Sequence, residues 1–161
     1  MGRFDGKVAL VTGGARGQGR AHATMFADEG ADVCVLDVCA PISTVPYPLA
    51  GRADLDATVA EVERRGRRCL AIEADIRDRA AVDAAVAATV DQLGALDICV
   101  ANAGICGFGR FWEISDEMWD EMIGVNLTGT FTTLRAVVPI MIERGGGRIV
   151  ATSSMAGRMG N

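Results

Sequence analysis

The sequence from Lys7 to Gly19 reads KVALVTGGARGQG. Its first six residues are mostly apolar and β-branched, which is typical of a parallel strand covered on both faces. The glycines that follow allow a tight turn, and a helix is predicted to begin within it. Such a turn brings backbone N–H groups and the positive end of the helix dipole close to a pyrophosphate. The candidate dinucleotide-binding residues of the turn are Gly13, Ala15, Arg16, Gly17, Gln18 and Gly19.

Four more short apolar runs alternate with longer helical stretches along the chain. The predicted strands are 7–12, 32–37, 69–73, 97–101 and 148–153, and the predicted helices are 17–29, 54–65, 78–93 and 115–144. Glycines stand at the predicted helix ends, and Gly124, Gly129 and Pro139 are expected to bend or loosen the last helix. Repeated strand–helix units with short connections imply parallel strands and right-handed crossovers. The predicted fold class is therefore α/β, a doubly wound parallel sheet (Rossmann fold) with five strands.

Asp37 follows Gly19 by eighteen residues and ends the second predicted strand. A carboxylate there can accept hydrogen bonds from the adenosine ribose diol and would repel a 2′-phosphate. Arg16 favours NADP instead, because a basic side chain in this turn could pair with the 2′-phosphate. The Asp37 carboxylate would repel the 2′-phosphate of NADP directly, whereas Arg16 can turn to solvent or pair with an acid. NAD is therefore the predicted cofactor.

Composition and charge exclude several other classes of function. The chain carries 16 basic and 21 acidic residues, a net charge of −5, which is the wrong sign for nucleic-acid binding. No continuous apolar run approaches the length of a membrane span, and no membrane partner is expected. The five cysteines lack Cys-x-x-Cys spacing, so reduced core thiols in a cytoplasmic protein are predicted. With a single His22, a metal site is not expected.

The connection between the second strand and the second helix is unusually long. Residues 38–51 include three of the four prolines and the single tyrosine, Tyr47, where such a loop usually needs about two to six residues. A tolerated surface insertion and a functional segment both remain open on chemistry alone. The position directly after Asp37 favours the functional interpretation.

Further motifs follow the later strands in a consistent order. Asp75 and Ile76 follow the third strand, Asn102-Ala103-Gly104 the fourth, and Ser153-Ser154 the fifth, while Asn126 lies in the long helix. With the spacing Thr-Gly-x-x-x-Gly-x-Gly in the first turn, this set resembles the short-chain dehydrogenase/reductase family along the whole chain.

The resemblance implies a role for each matching residue. The glycines at 13, 17 and 19 would line the pyrophosphate, and Asp37 would hold the ribose. Asn126 would be the helix asparagine of the catalytic tetrad, and Ser154, rather than Ser153, would hydrogen-bond the substrate oxygen. The remaining cofactor positions implied by the family are Asp75 and Ile76 at the adenine, and Asn102, Ala103 and Gly104 along the central groove.

The family's catalytic base is a tyrosine whose pKa is lowered by a lysine four residues later, and this chain departs from that pattern. Gly51 stands four residues after Tyr47, and the only lysine, Lys7, lies forty residues before it. Family spacing places the catalytic tyrosine a few residues beyond Asn161. We therefore expect residues 1–161 to be one NAD-binding Rossmann domain, the N-terminal part of an enzyme, inactive by itself.

Gln18 and the proline-containing insertion at 39–50 make the chain similar to the carveol-dehydrogenase-like, mycofactocin-coupled subgroup. The resemblance implies that the insertion folds over the nicotinamide cofactor and slows its exchange. The resemblance implies oxidation of a secondary alcohol, or reduction of a ketone, with bound NAD and transfer of electrons to another carrier.

Two other functions compete with an NAD-dependent oxidoreductase. One is a non-catalytic dinucleotide-binding module or partner subunit. The other is a methyl-donor-binding transferase, which the Asn102–Gly104, Asn126 and Ser154 set argues against. An apolar stripe on or near the long helix favours a buried subunit interface and hence a homo-oligomer. Its residues are Trp112, Met118, Trp119, Met122 and Met141.

Overall fold

Five parallel strands form one sheet in the computed structural model, which describes residues 2–157. The sheet order is β3–β2–β1–β4–β5, so the order reverses between β1 and β4. The strands are β1 (Val8–Thr12), β2 (Asp32–Asp37), β3 (Cys69–Glu73), β4 (Ile98–Ala101) and β5 (Arg148–Ala151). The predicted Rossmann fold is confirmed, and the predicted boundary at residue 161 lies outside the described residues.

Helices cover both faces of the sheet. They are α1 (Gly17–Asp28), α2 (Arg52–Glu63), α3 (Arg79–Leu93), α4 (Asp116–Ile123) and α5 (Thr130–Glu143). Helices α1 and α2 enclose one core with Ala9, Val11 and Val33, whereas α3 and α5 enclose the other with Leu10 and Leu36. Successive residues of β1 thus enter opposite cores, which explains why its sequence is continuously apolar.

Two helix boundaries differ from the sequence prediction for identifiable reasons. Helix α2 begins at Arg52 rather than residue 54, because the Asp54 carboxylate accepts a hydrogen bond from the Gly51 amide at 2.9 Å and caps the first turn. The long predicted helix is interrupted by a π-helical segment, Gly124–Gly129, that begins and ends at the two suspected glycines. Pro139 lies inside α5.

The strand at the end of the sheet, β5, is exposed at all four residues. The sequence predicts a strand covered on both faces, and that expectation is wrong for β5 within residues 2–157. Here β4 is the only strand paired with it, and no described helix packs over it closely. Ile149 and Val150 are 40% and 53% exposed.

The continuous helical stretch Asp116–Glu143 is long and apolar enough to cross a membrane by length and composition. The sequence nevertheless holds no continuous apolar run of that length, because Asn126 and Arg135 interrupt this stretch. The stretch packs on the sheet, however, with Val137 and Met141 buried in the core beside α3. These contacts are those of a core helix.

Candidate functional site

The glycine-rich turn lies at the carboxyl end of β1, where the sheet order reverses. Gly13 has φ +66°, and a Cβ there would lie 2.9 Å from the Ala103 Cα. A Cβ on Gly19 would collide with the Gly13 carbonyl oxygen. The turn and the residues after β4 therefore approach so closely that only glycine fits at positions 13 and 19.

Side chains after β4 hold the turn against the sheet. The Thr12 hydroxyl accepts hydrogen bonds from the Asn102 and Ala103 amides, both at 3.0 Å. The Asn102 Nδ2 donates to the Thr12 carbonyl at 3.1 Å. The Thr152 hydroxyl then donates to the Asn102 Oδ1 at 3.3 Å, so Asn102 links the ends of β1, β4 and β5.

Asp37 is buried at the end of β2 and faces the turn. Its Oδ2 accepts a hydrogen bond from the Ala15 amide at 3.0 Å, and its Oδ1 accepts one from the Cys39 amide at 3.3 Å. Arg16 is exposed at the rim and forms no ion pair with the acids of residues 2–157. Asp37, which favours NAD, and Arg16, which favours NADP, therefore do not pair with each other.

The predicted adenine position contains an ion pair that sequence reasoning missed. The Arg77 Nη2 donates to the Asp75 Oδ2 at 2.6 Å, and the single Nε–H is shared between the two carboxylate oxygens at 2.9 and 3.1 Å. Burial alone would raise the pKa of Asp75, but the guanidinium hydrogen bonds, the Arg77 backbone amide and the Arg77 charge together hold the pKa below its ordinary value. The arginine two residues after Asp75 is the sequence feature that could have indicated this ion pair.

One cavity of about 220 Å³ joins these elements. Eleven of the twelve predicted cofactor-binding residues line it, and Ala15, which is fully buried, lies behind the turn. The eleven are Gly13, Arg16, Gly17, Gln18, Gly19, Asp37, Asp75, Ile76, Asn102, Ala103 and Gly104. Their role in binding a cofactor stays a prediction, but the fold brings them to one place.

The 38–51 segment closes one side of this cavity. Ile42, Tyr47 and Leu49 line it, and the Tyr47 hydroxyl accepts a hydrogen bond from the Cys106 amide at 2.9 Å. Cys39, the second residue of the segment, has φ +50°, a conformation that residues other than glycine seldom adopt. The long connection is thus part of the cavity wall, which favours the functional interpretation over a surface insertion.

Hydrogen bonds to helix α4 hold the middle of the segment. The Ser43 hydroxyl donates to the Glu117 carboxylate at 2.8 Å, and the Thr44 amide donates to the Glu121 carboxylate at 3.1 Å. The Thr44 hydroxyl also bonds to Glu121. This last bond is the main cause that lowers the pKa of Glu121, with smaller contributions from the Thr44 amide, Ser43 and the charge of Arg77. We call these four residues, Ser43, Thr44, Glu117 and Glu121, the clasp.

Asn126 lies in the π-helical segment and reaches the loop after β4. Its Oδ1 accepts a hydrogen bond from the Ile105 amide, and its Nδ2 donates to the Ile105 carbonyl, both at 2.9 Å. The asparagine side chain therefore fixes the backbone of Ile105, which lines the cavity. Its own carbonyl accepts a bond from the Thr130 hydroxyl.

Ser154 is exposed in the turn after β5, two residues beyond Thr152. Its hydroxyl accepts a hydrogen bond from the Ala156 amide at 3.1 Å. It is not among the residues that line the cavity. The only tyrosine and the only lysine lie apart: Tyr47 is in the 38–51 segment, whereas Lys7 pairs with Asp97 at 3.1 Å at the opposite end of β1.

Cysteine, acid and histidine positions give no sign of a metal. Within residues 2–157, no group of three or more His, Cys, Asp or Glu side chains could hold an ion. Cys34 and Cys99 are buried, and desolvation raises the pKa of each thiol to about 12. Cys106, in contrast, is exposed.

Comparison with known proteins gives a consistent result. The family model for short chain dehydrogenases matches residues 7–161. An uncharacterised NAD-dependent oxidoreductase of Mycobacterium tuberculosis is 58% identical over 158 residues, which cover 97% of this chain and 58% of the relative. The (−)-trans-carveol dehydrogenase of Rhodococcus erythropolis is 46% identical, with 99% of this chain and 58% of that protein covered.

A solved structure, carveol dehydrogenase from Mycobacterium avium in complex with NAD, superposes with a TM-score of 0.97 at 46% identity. The match covers 100% of this chain and 59% of that one. The chain thus spans a little under three fifths of the length of these relatives.

Proposed function

Because the chain belongs to the short-chain dehydrogenase/reductase family, we propose that the protein binds NAD and transfers a hydride between this cofactor and a secondary alcohol or ketone. The observation that carries the proposal is the cavity at the switch point of the sheet, with the glycine-rich turn on one side and Asp37 on the other. Ligands of doubly wound sheets bind at this place.

The residues of the cavity fit a dinucleotide. The first turn of α1 leaves amides without intrahelical acceptors, which suits a pyrophosphate. Positions 13 and 19 leave no room for a Cβ, so the backbone itself forms the cradle. Asp37 accepts one hydrogen bond on each carboxylate oxygen and keeps lone pairs for a ribose diol. These features support NAD rather than NADP.

Bound NAD would supply or accept the hydride, and a proton on the substrate oxygen must move in the same reaction. Ser154 would hydrogen-bond that oxygen and polarise it, whereas a serine cannot replace the general base. Asn126 would keep the Ile105 backbone in place at the cavity wall. Tyr47, which lacks a lysine four residues later, is not assigned the base.

The paired serines after β5 offer a sharp test of the catalytic assignment. In the natural full-length protein, Ser154→Ala should lower kcat for carveol oxidation about a hundredfold, because it removes one donor to the reacting oxygen. Ser153→Ala is the matched control and should retain activity. NADH formation measured by absorbance checks both. Loss of activity in Ser153→Ala with normal activity in Ser154→Ala would contradict the assignment.

We also propose that NAD stays bound between turnovers and passes its electrons to another carrier. The 38–51 segment supports this proposal, because it forms part of the cavity wall and is tied to α4 through the clasp. An apolar cyclic alcohol is the proposed substrate class. Phe108, Phe111 and Trp112 are highly exposed after β4 and could contact such a substrate.

A homo-oligomer is proposed from the exposed apolar face of the long helix. Trp119, Leu127 and Phe131 are 57%, 64% and 58% exposed. Met141, in contrast, belongs to the core, so the apolar stripe seen in the sequence divides between core and surface. The free cysteines suit a reducing compartment, and a cytoplasmic location is proposed.

A non-catalytic dinucleotide-binding module is the second candidate function. NAD binding without NADH formation by the natural full-length protein would support it over the oxidoreductase.

A further inference from the structure

The glycine-rich turn is anchored from behind by a hydroxyl that no sequence motif indicates. The turn must direct amides toward a phosphate, so some of its carbonyls point the opposite way, into the protein. The Thr58 hydroxyl on α2 lies 3.1 Å from both the Gly14 and the Ala15 carbonyl oxygens and 3.2 Å from the Asp54 carbonyl of its own helix, and these three acceptors share its single proton. Thr58 is fully buried, so water cannot take its place. A buried carbonyl without a donor is costly.

Arg20, on the second turn of α1, completes this anchor. Its Nε donates to the Ala15 carbonyl at 3.1 Å and to the Thr58 hydroxyl at 2.9 Å. Its Nη2 donates to the Ala15 carbonyl and, at 2.8 Å, to the Asp54 carbonyl at the start of α2. One planar guanidinium thus joins the turn to α2 by several bonds, a geometry that lysine cannot reproduce.

The backbone amides of Gly14 and Ala15 are held by a separate set of hydrogen bonds. The Gly14 amide donates to the Leu36 carbonyl at 3.1 Å, and the Ala15 amide donates to Asp37. The peptide group between Gly14 and Ala15 is therefore held on both sides, its N–H by Asp37 and its carbonyl by Thr58. The next peptide group is held at the Ala15 carbonyl by Arg20. The orientation of the amides that follow, in the first turn of α1, therefore depends on how Gly14 and Ala15 are held.

We propose that Arg20 and Thr58 are positioning residues for the dinucleotide: they orient the Gly14 and Ala15 peptides so that the amides of the turn face the pyrophosphate. The inference rests on the proposed NAD binding. Neither side chain lines the cavity, so neither is expected to touch the cofactor. Their effect should fall on the pyrophosphate and leave the adenosine part of the site unchanged.

The test compares two ligands on the natural full-length protein, NAD by calorimetry and adenosine by NMR titration. Thr58→Val keeps the shape of the side chain but removes the hydroxyl. Arg20→Lys keeps the positive charge but removes the planar guanidinium and its several N–H donors. Each should weaken NAD binding about tenfold, the order expected when a buried carbonyl loses its donor. Adenosine, which lacks the pyrophosphate, should bind as it does to the wild type.

Two further variants keep the test valid if either substitution destabilises the fold. Thr58→Ser restores the hydroxyl and should restore NAD affinity to within about twofold of wild type. Arg64→Met removes an arginine that is 70% exposed near the end of α2 and should leave NAD binding unchanged.

Equal NAD affinity in Thr58→Val, Arg20→Lys and wild type would overturn the inference. A parallel loss of adenosine binding would overturn it too, because the effect would then lie at the adenosine part of the site, through Asp37 or through the fold, and not at the pyrophosphate. If the wild-type protein binds no NAD, the proposed function fails and this inference fails with it. Normal wild-type binding with unaffected variants contradicts this inference alone.

Discussion

The carboxylate of Asp37 binds two backbone amides of its own chain, and this decides what substitutions there will do. One amide belongs to the glycine-rich turn and the other to Cys39 at the start of the 38–51 segment. The same side chain is proposed to accept the ribose hydroxyls. Removing it therefore affects the turn, the segment and the cofactor together.

Asp37→Ala should weaken NAD binding by about tenfold or more, because hydrogen bonds to a charged group are among the stronger ones. It should also improve NADP binding relative to NAD, since the repulsion of the 2′-phosphate is lost. Calorimetry with both cofactors measures the two effects. The double variant Asp37→Ala with Arg16→Met should lose the gain in NADP affinity if Arg16 pairs with that phosphate.

Thiol reactivity should separate the cysteines by burial. Desolvation raises the pKa of Cys34 and Cys99 to about 12, so almost none of either thiol is ionised near neutral pH. Cys106 is exposed. Treatment of the native protein with iodoacetamide near neutral pH, followed by peptide mass spectrometry, should find Cys106 modified and Cys34 and Cys99 intact. Rapid modification of Cys34 in the folded protein would contradict the core described above.

At the scale of elements, the clasp joins the 38–51 segment to helix α4. Glu121→Ala removes the acceptor for both donors of Thr44 and one of the two carboxylates that share the Ser43 hydroxyl proton. We expect it to speed the release of NAD, measured by rapid gel filtration and stopped-flow fluorescence of NADH. Asp120→Ala, on the same helix, is the control and should release NAD at the wild-type rate. Equal release rates in both variants would show that the clasp does not retain the cofactor.

The clasp should also depend on pH in a defined direction. The pKa of Glu121 is lowered, chiefly by the Thr44 hydroxyl, so the folded state favours the ionised carboxylate. Its contribution is fully present above the ordinary glutamate pKa and is lost as the pH falls through the lowered value. NAD release from the wild type should accelerate across that acidic range, and Glu121→Ala should lose this part of the pH dependence. An identical pH profile in both proteins would contradict the assignment.

The sequence predicts elements and motifs well where the information is local. The first turn, Asp37 and the glycines at helix ends follow from spacing along the chain, and the structure places them as expected. Thr58 lies on the buried face of α2 with Leu55 and Val62, and no local sequence motif marks it as a partner of the turn. Its partners are 43 and 44 residues away, so only the folded chain identifies them.

At the scale of the whole molecule, the exposed face of the long helix is where a second copy is expected. Phe131→Glu would place a charge in that interface and should shift the natural full-length protein to a smaller species in light scattering. Glu143→Lys near the end of α5 also changes the charge of the helix and should leave the oligomer unchanged. An unaltered mass for Phe131→Glu would exclude this face as the interface.

The 161-residue polypeptide by itself should bind NAD but not turn it over. Its single tyrosine and single lysine lie at opposite ends of β1, so they cannot form the family's acid–base pair. We expect no carveol-dependent NADH formation above that of the Ser154→Ala variant. Activity clearly above this control would mean that a different group in the chain serves as the base.

The most direct test of the central claim is the relative affinity for the two nicotinamide cofactors. Calorimetry on the natural full-length protein, freed of any bound nucleotide, should give an NAD dissociation constant at least about tenfold below that for NADP, because Asp37 repels a 2′-phosphate. Equal or tighter binding of NADP, or no binding of either cofactor, would contradict the account.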